Sequence, residues 1–406
     1  MNLPKTEAEN PPLWAAVEVV ISGARRHSGH VAGVRSQIPV ISQLRAVVYE
    51  SNGNPASVLS VVTYPAPPKP TGSSVTVKHL LSPVNPSDIN AVEGVYPHQP
   101  RARQLNVNGQ ERTLHIPGNE GLGEITDVGE GVKGLSKGDW VVFGKGQSGT
   151  WSSGQILEEG DVIKVDRETG ISAVNAATLV VNPTTAYNML SEFVDLRPGD
   201  WVVQNGANSA VGQAVITLAK LRGLNTINLI RKRDEFSDVE KYLKSLGATY
   251  VITYDDLEDK FISGRVKEWT GGKDIRLLLN CVGGKSTTRM LRLAGKNAHV
   301  VTYGAMAKEA LSFPPSVFIF NNLTAHGFWQ TEWYKQKSPQ ERARVTAELV
   351  KYMATGKFKE PIHEIVKIDG TLSDEEATEI VRGVMNRVAS GSGGKKVLLQ
   401  VDPVLS

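Results

Sequence analysis

The chain has 406 residues, 40% hydrophobic and 21% charged, which suits a globular protein of two domains with sizeable cores. A net charge of +3, from 45 basic and 42 acidic residues, and the lack of a basic stretch interleaved with aromatics argue against a nucleic-acid partner, and no run approaches the roughly 18 apolar residues of a membrane span. The single cysteine, Cys281, excludes an internal disulfide framework and any zinc site of several thiolates; it follows an apolar run and reads as a buried, inert thiol.

Residues 1–43 differ from the rest. The first twelve are polar, and residues 13–45 carry Glu18 as their only acid among Arg25, Arg26, His27, Arg35 and Arg45. Trp14, Val17, Val20 and Ile21 share one apolar face, so the segment resembles a mitochondrial transit peptide, although Glu7 and Glu9 are unusual in one.

From residue 44 the pattern predicts strands at 44–49 and 75–81, with a loop at 65–70. Ser87 is placed to cap a short helix after Pro86. Gly94-Val95-Tyr96-Pro97 reads as a loop carrying an aromatic hydroxyl, and residues 101–113 as a polar surface excursion. A glycine-rich strand at 123–128, a turn at Lys137-Gly138-Asp139, a strand at 140–143 and another near 161–165 complete a region of short strands, which predicts a partly open β-barrel of Greek-key type.

Near residue 180 strands begin to alternate with helices. Residues 201–204 form an apolar strand, and residues 210–222 have helical spacing, with Val211, Val215, Leu218 and Ala219 on one face. Between them lies Gly206-Ala207-Asn208-Ser209. A strand, a tight turn and a helix N-terminus direct free N–H groups and the positive end of the helix dipole at an anion. Gly206 lets the chain turn and Gly212 lets the helix lie close to the sheet, while Ser209 stands where the fingerprint G-x-G-x-x-G would carry its middle glycine, so the match is imperfect. The next strand, 226–230, ends in Arg231-Lys232-Arg233 rather than in an acid; three cations suit a ribose 2′-phosphate, so the cofactor read here is NADPH rather than NADH. Helices at 235–246, 258–270 and 285–293, and strands at 250–253, 277–280, 298–303 and 323–328, give a Rossmann-type doubly wound parallel sheet. Helices at 339–353 and 373–389 and a strand at 396–401 finish the chain. The fold class is α/β, with no repeat of 20–50 residues.

The order of barrel, nucleotide domain and return to the barrel resembles the medium-chain dehydrogenase/reductase superfamily. That likeness implies a GroES-like catalytic domain at 44–180 and 329–406 and a Rossmann domain at 181–328. Zinc-dependent members carry Gly-His-Glu before a glycine-rich strand; here the stretch is Gly118-Asn119-Glu120, with no cysteine upstream, so no metal site is expected. The segments SPVNPSDIN-AVEGVYP, QNGANSAVGQ and LNCVGGKS, with IRKR, TYGAM and GFWQTEW, resemble the mitochondrial 2-enoyl thioester reductases of fungi and animals. Ala305 departs from them, where a second glycine is usual.

This resemblance implies NADPH-dependent reduction of trans-2-enoyl-ACP or enoyl-CoA in the mitochondrial matrix, by a homodimer. It implies Tyr96 as proton donor, with Asn85 holding the tyrosine or the substrate. It implies cofactor contacts at Asn182, at Asn208, Ser209, Ala210 and Val211, at Arg231, Lys232 and Arg233, at Tyr303, Gly304, Ala305 and Met306, at Phe328, Trp329, Gln330 and Thr331, and at Lys395. Trp329 would also border the acyl channel, and Arg101, Arg103 and Lys335 are candidates for a basic entrance facing the carrier. His98 and His115 read as surface residues. The same fold would serve a quinone reductase, a polyketide trans-enoyl reductase or a non-catalytic NADPH-binding regulator.

Overall fold

The computed structural model describes residues 43–232, 236–389 and 395–404; residues 1–42 of the expected leader and Arg233 lie outside the described residues, and Gln43, the leader's last residue, opens the strand Gln43–Val48. Six strands form an all-parallel sheet in the order Tyr250–Thr253, Asn225–Ile230, Trp201–Gln204, Leu277–Asn280, His299–Thr302, Thr324–Gly327. The two strands at its centre are buried throughout, as apolar runs covered on both faces must be. Val202, Leu277 and Leu279 pack on one face with helices Asn182–Glu192 and Ala210–Leu221. Val203, Leu278 and Val300 pack on the other with helix Ile262–Trp269. Strand order reverses between Trp201–Gln204 and Leu277–Asn280, which opens a crevice at their C-terminal ends.

A second, seven-stranded sheet runs in the order His363–Ile368, Lys396–Val401, Ser74–Pro83, Leu122–Val128, Trp140–Phe143, Val162–Val165, with Gly154–Glu158 also paired to Ser74–Pro83. Register breaks at Thr76/Val77 and His79/Leu81 bend Ser74–Pro83, which curls the sheet into the expected open barrel. The last residues of that strand, Ser82 and Pro83, pair with Leu399 and Leu398, so the end of the chain returns to the barrel.

The structure corrects several local expectations. Residues 101–113 are no excursion: strands Ala102–Val107 and Gln110–His115 form an antiparallel hairpin across Asn108-Gly109, both at positive φ. Every second residue faces inward, and Leu105, Val107 and Leu114 pack on Leu44, Ala46, Val48 and Tyr64. The helix expected after Ser87 is Pro86–Val92, with Asn85 at its N-cap and Ser87 inside it. Helix 258–270 is a short 3-10 turn, Asp255–Glu258, followed by Ile262–Trp269. Helices Asn182–Glu192 and Gln330–Gln336, both beside the crevice, are additional.

Candidate active site

The turn after Trp201–Gln204 has the geometry of a phosphate cradle. Gly206 sits at φ +60°, and a Cβ there would lie 2.5 Å from the Cys281 Sγ. A Cβ at Gly212 would lie 2.6 Å from the Ala207 backbone, so only glycine lets the helix approach this closely. Ser209 is the N-cap of Ala210–Leu221, its hydroxyl accepting the Gly212 N–H at 3.1 Å, and Asn208 and Ser209 are exposed at the open helix end. The Gly206 N–H donates to the Tyr254 hydroxyl at 3.0 Å, a partner the sequence reading did not name. Burial pushes that phenol up to about 12, against the pull of Arg231. Arg231 and Lys232 follow Asn225–Ile230 directly and are exposed.

Across the crevice, the Tyr303 N–H donates to the Asn280 carbonyl and the Met306 N–H to the Cys281 carbonyl, both at 2.9 Å, which fixes Tyr303–Met306 along the strand ends. Ala305 does not need a positive φ, so the second glycine is dispensable. Asn280 itself is fully buried and bonded to Asn205, Thr287 and Gly283, a structural commitment. Cys281 is buried, as expected.

Tyr96 follows helix Pro86–Val92. Its N–H and that of Val95 both donate to the Asn90 carbonyl, at 3.1 and 3.0 Å. The Trp329 indole N–H donates to the Tyr96 hydroxyl at 2.7 Å, and the rings meet edge-on at 6.0 Å. Burial raises the Tyr96 phenol above its ordinary range; hydrogen bonds from Trp329 and Thr331 oppose this, and the nearby Asp88 adds to it. The phenol is therefore fully protonated at neutral pH. Lys335 lies 5.3 Å over the Trp329 ring. Phe328 packs edge-on against Phe193, and Gln330 accepts from Asn188, so these two side chains face the helix Asn182–Glu192.

Asn85 does not reach Tyr96 by any hydrogen bond. It is buried, its Nδ2 donating to Glu120 at 2.8 Å, while its Oδ1 accepts from Asn182 at 3.1 Å and from Lys396 at 2.5 Å. Its backbone N–H donates to Asp88. Glu120 also accepts the Val181 N–H at 3.0 Å. No local pattern marks Asp88 or Lys396, and Glu120 stands out in the sequence only within Gly118-Asn119-Glu120. Lys395 is exposed, and strand alternation turns its neighbour Lys396 inward. Asn119, at the zinc-ligand position of the superfamily, instead joins two loops: its Nδ2 donates to Ser87 and its Oδ1 accepts the Gln147 N–H. Among the described residues no group of three or more His, Cys, Asp or Glu could hold a metal ion. Arg103 is turned inward onto Gln155 and Ser148, so it cannot serve an entrance. His98 and His115 each bond a backbone carbonyl, Gly146 and Pro100 respectively.

A curled barrel that leads into a six-stranded nucleotide sheet and takes the chain back defines a medium-chain dehydrogenase/reductase. Residues 71–188 match the family model of the alcohol dehydrogenase GroES-like domain, and residues 210–347 that of the zinc-binding dehydrogenases. The mitochondrial enoyl-[acyl-carrier-protein] reductase of Yarrowia lipolytica is 41% identical over 356 residues, 88% of this chain and 92% of its own length. Two solved structures are 35% identical with TM-score 0.81, covering 88% of this chain and 99% of theirs: Etr1p with NADP and crotonyl-CoA, and the Etr1p/Etr2p heterodimer, a mitochondrial 2-enoyl thioester reductase of Candida tropicalis. The chain belongs to the mitochondrial enoyl-[acyl-carrier-protein] reductase family.

Proposed function

We propose that this chain reduces trans-2-enoyl thioesters to saturated acyl thioesters with NADPH, in mitochondrial fatty acid synthesis. The residues present fit the cofactor. The helix end at Asn208–Val211, with Gly206 and Gly212 keeping it close to the sheet, would hold the pyrophosphate. Arg231 and Lys232 would hold the 2′-phosphate, with Arg233 assigned there from its place in the sequence. Tyr303–Met306, Phe328–Thr331 and Asn182 would line the nicotinamide end, and Lys395, exposed at the rim, is assigned to the cofactor by the family resemblance.

When bound, NADPH supplies the hydride that adds to C3 of the enoyl thioester. The electron pair then rests on C2 and the thioester oxygen, and C2 must gain a proton. Tyr96 is assigned this step. Its phenol carries the proton at neutral pH, and the Trp329 N–H on its oxygen stabilises the phenolate left behind. This hydrogen bond is the observation that carries the reading, because it gives the tyrosine a role beyond packing.

The acyl group arrives on acyl carrier protein or CoA. Lys335 beside Trp329, together with the exposed Arg101, would meet the acidic or phosphorylated carrier. A homodimer would join two copies at the outer edge of Thr324–Gly327, where Thr324, Ala325 and Gly327 are exposed beside Phe318, Ile319 and Phe320, the last two 69% and 76% exposed.

The test is NADPH oxidation with trans-2-hexenoyl-CoA, with the product identified by mass. Saturated hexanoyl-CoA formed with NADPH and poorly with NADH is expected. Turnover of quinones without turnover of the enoyl thioester would keep the fold and overturn the function.

A further inference from the structure

The buried network behind the crevice has a polarity set by its charges. Asp88 and Glu120 are fully buried, Asn85 is 2% and Asn182 8% exposed. Glu120 receives the Asn85 Nδ2, and Lys396 donates to the Asn85 Oδ1 and to the Val84 carbonyl. Turning the Asn85 amide over would set its NH2 against an ammonium and its oxygen against a carboxylate, two repulsions at once. Its orientation is therefore fixed by Glu120 and Lys396. The Asn182 atom 3.1 Å from the Asn85 Oδ1 must then be its nitrogen, which leaves the Asn182 carbonyl oxygen free to accept from elsewhere. Glu120 also takes the Val181 N–H, so the same carboxylate holds the start of the helix that carries Asn182. Asn182 and Lys396 line one cavity with Ala210, the first residue of the phosphate-turn helix.

We propose that Lys396 and Glu120 are positioning residues that act through Asn85 to present the Asn182 carbonyl oxygen, as an acceptor, to a hydrogen-bond donor of the bound dinucleotide. This rests on the cofactor reading above. The donors available on such a cofactor are a ribose hydroxyl and the carboxamide N–H. Burial raises Glu120 and lowers Lys396, and their mutual attraction opposes both shifts. Asp88 is the other carboxyl facing Lys396; burial raises it to about 7, against the backbone N–H of Asn85 and the charge of Lys396.

The experiment is NADP⁺ binding to the full chain by fluorescence titration, in Lys396→Gln, Glu120→Gln, Asn182→Ala and the double variant Lys396→Gln/Asn182→Ala. Glutamine keeps hydrogen bonding at each position but removes the charge that sets the sense. Each single variant should weaken NADP⁺ about tenfold, the scale of one hydrogen bond, with the KM for the enoyl thioester within about twofold of wild type. The decisive arm is the cycle: Lys396→Gln should cost nothing further once Asn182 is alanine. Additive losses in the cycle, or unchanged binding in variants that melt as wild type does, would overturn the proposal. Failure of the wild type to bind NADP⁺ would instead overturn the cofactor reading. In a further arm, the 3-acetylpyridine analogue of NADP⁺ lacks the carboxamide N–H. Weaker wild-type binding of it, equalised in Lys396→Gln, assigns the donor to the carboxamide; equal binding with the cycle intact assigns it to the ribose.

Discussion

The indole nitrogen of Trp329 donates to the hydroxyl oxygen of Tyr96 at 2.7 Å, joining residues 233 positions apart. The bond matters most when Tyr96 gives up its proton, because it then lies on an anion. Trp329→Phe keeps a ring against Tyr96 and removes the donor. Its kcat should fall roughly tenfold, about what one charge-assisted hydrogen bond supplies. The Trp329 hydrogen bond lowers the Tyr96 pKa, so its loss raises that pKa further and moves the alkaline limb of the pH–rate profile upward. A pH–rate series on both proteins checks the sign.

Arg231 and Lys232 stand exposed at the end of Asn225–Ile230, where NADH-dependent enzymes of this fold carry an acid. Arg231→Ala/Lys232→Ala should raise the KM for NADPH by about ten- to a hundredfold and leave that for NADH nearly unchanged. Raising salt should weaken NADPH in the wild type and have less effect in the variant.

Two glycines in helices should respond in opposite ways to alanine. At Gly212 a Cβ would meet backbone atoms of Ala207 at 2.6 to 2.7 Å, which cannot turn aside. Gly212→Ala should lose roughly 1–3 kcal/mol of stability and weaken NADPH. Gly383, in Asp374–Ala389, has nothing within 4 Å of its Cβ position, and Gly383→Ala should gain about 0.5–1 kcal/mol. Denaturant melts of both variants provide the comparison.

Two buried groups pull stability in opposite directions with pH. Burial holds His79 down at about 4, so its contribution is present above pH 6.5 and is lost as pH falls towards 4. Burial raises Asp88 to about 7, so its contribution is fully present below pH 3.8 and is lost as pH rises through 7. Asp88→Asn keeps an acceptor for the Asn85 N–H and removes the ionisation. Between pH 5 and pH 8 it should lose less stability than the wild type, and at pH 8 it should melt no lower. An equal drop at every pH would contradict the assignment.

The strand, turn and helix around Gly206 are legible because their geometry is local: Gly206, Ser209 and Gly212 lie close together in sequence, and the cations follow the next strand. The parallel sheet was legible for the same reason, since its strands are short apolar runs between helices. The hairpin at 102–115 is hidden in the sequence because its polar outer residues mask the alternation of Leu105 and Val107, though Asn108-Gly109 marks the turn. The network around Asn85 was not legible. Its partners Glu120, Asn182 and Lys396 lie 35, 97 and 311 residues away, and no local pattern records such contacts. A lysine at the start of a strand looks like a solvated end until the pairing of Lys396–Val401 with Ser74–Pro83 brings it beside Asn85.

The central claim is that this chain reduces enoyl thioesters with Tyr96 as the acid. Its most direct test is NADPH oxidation with trans-2-hexenoyl-CoA by the wild type and Tyr96→Phe side by side, with NADPH affinity measured on both. The account predicts unchanged NADPH binding and a loss in kcat of roughly 10²-fold or more, the scale of a lost general acid. Turnover of Tyr96→Phe close to that of the wild type would contradict it.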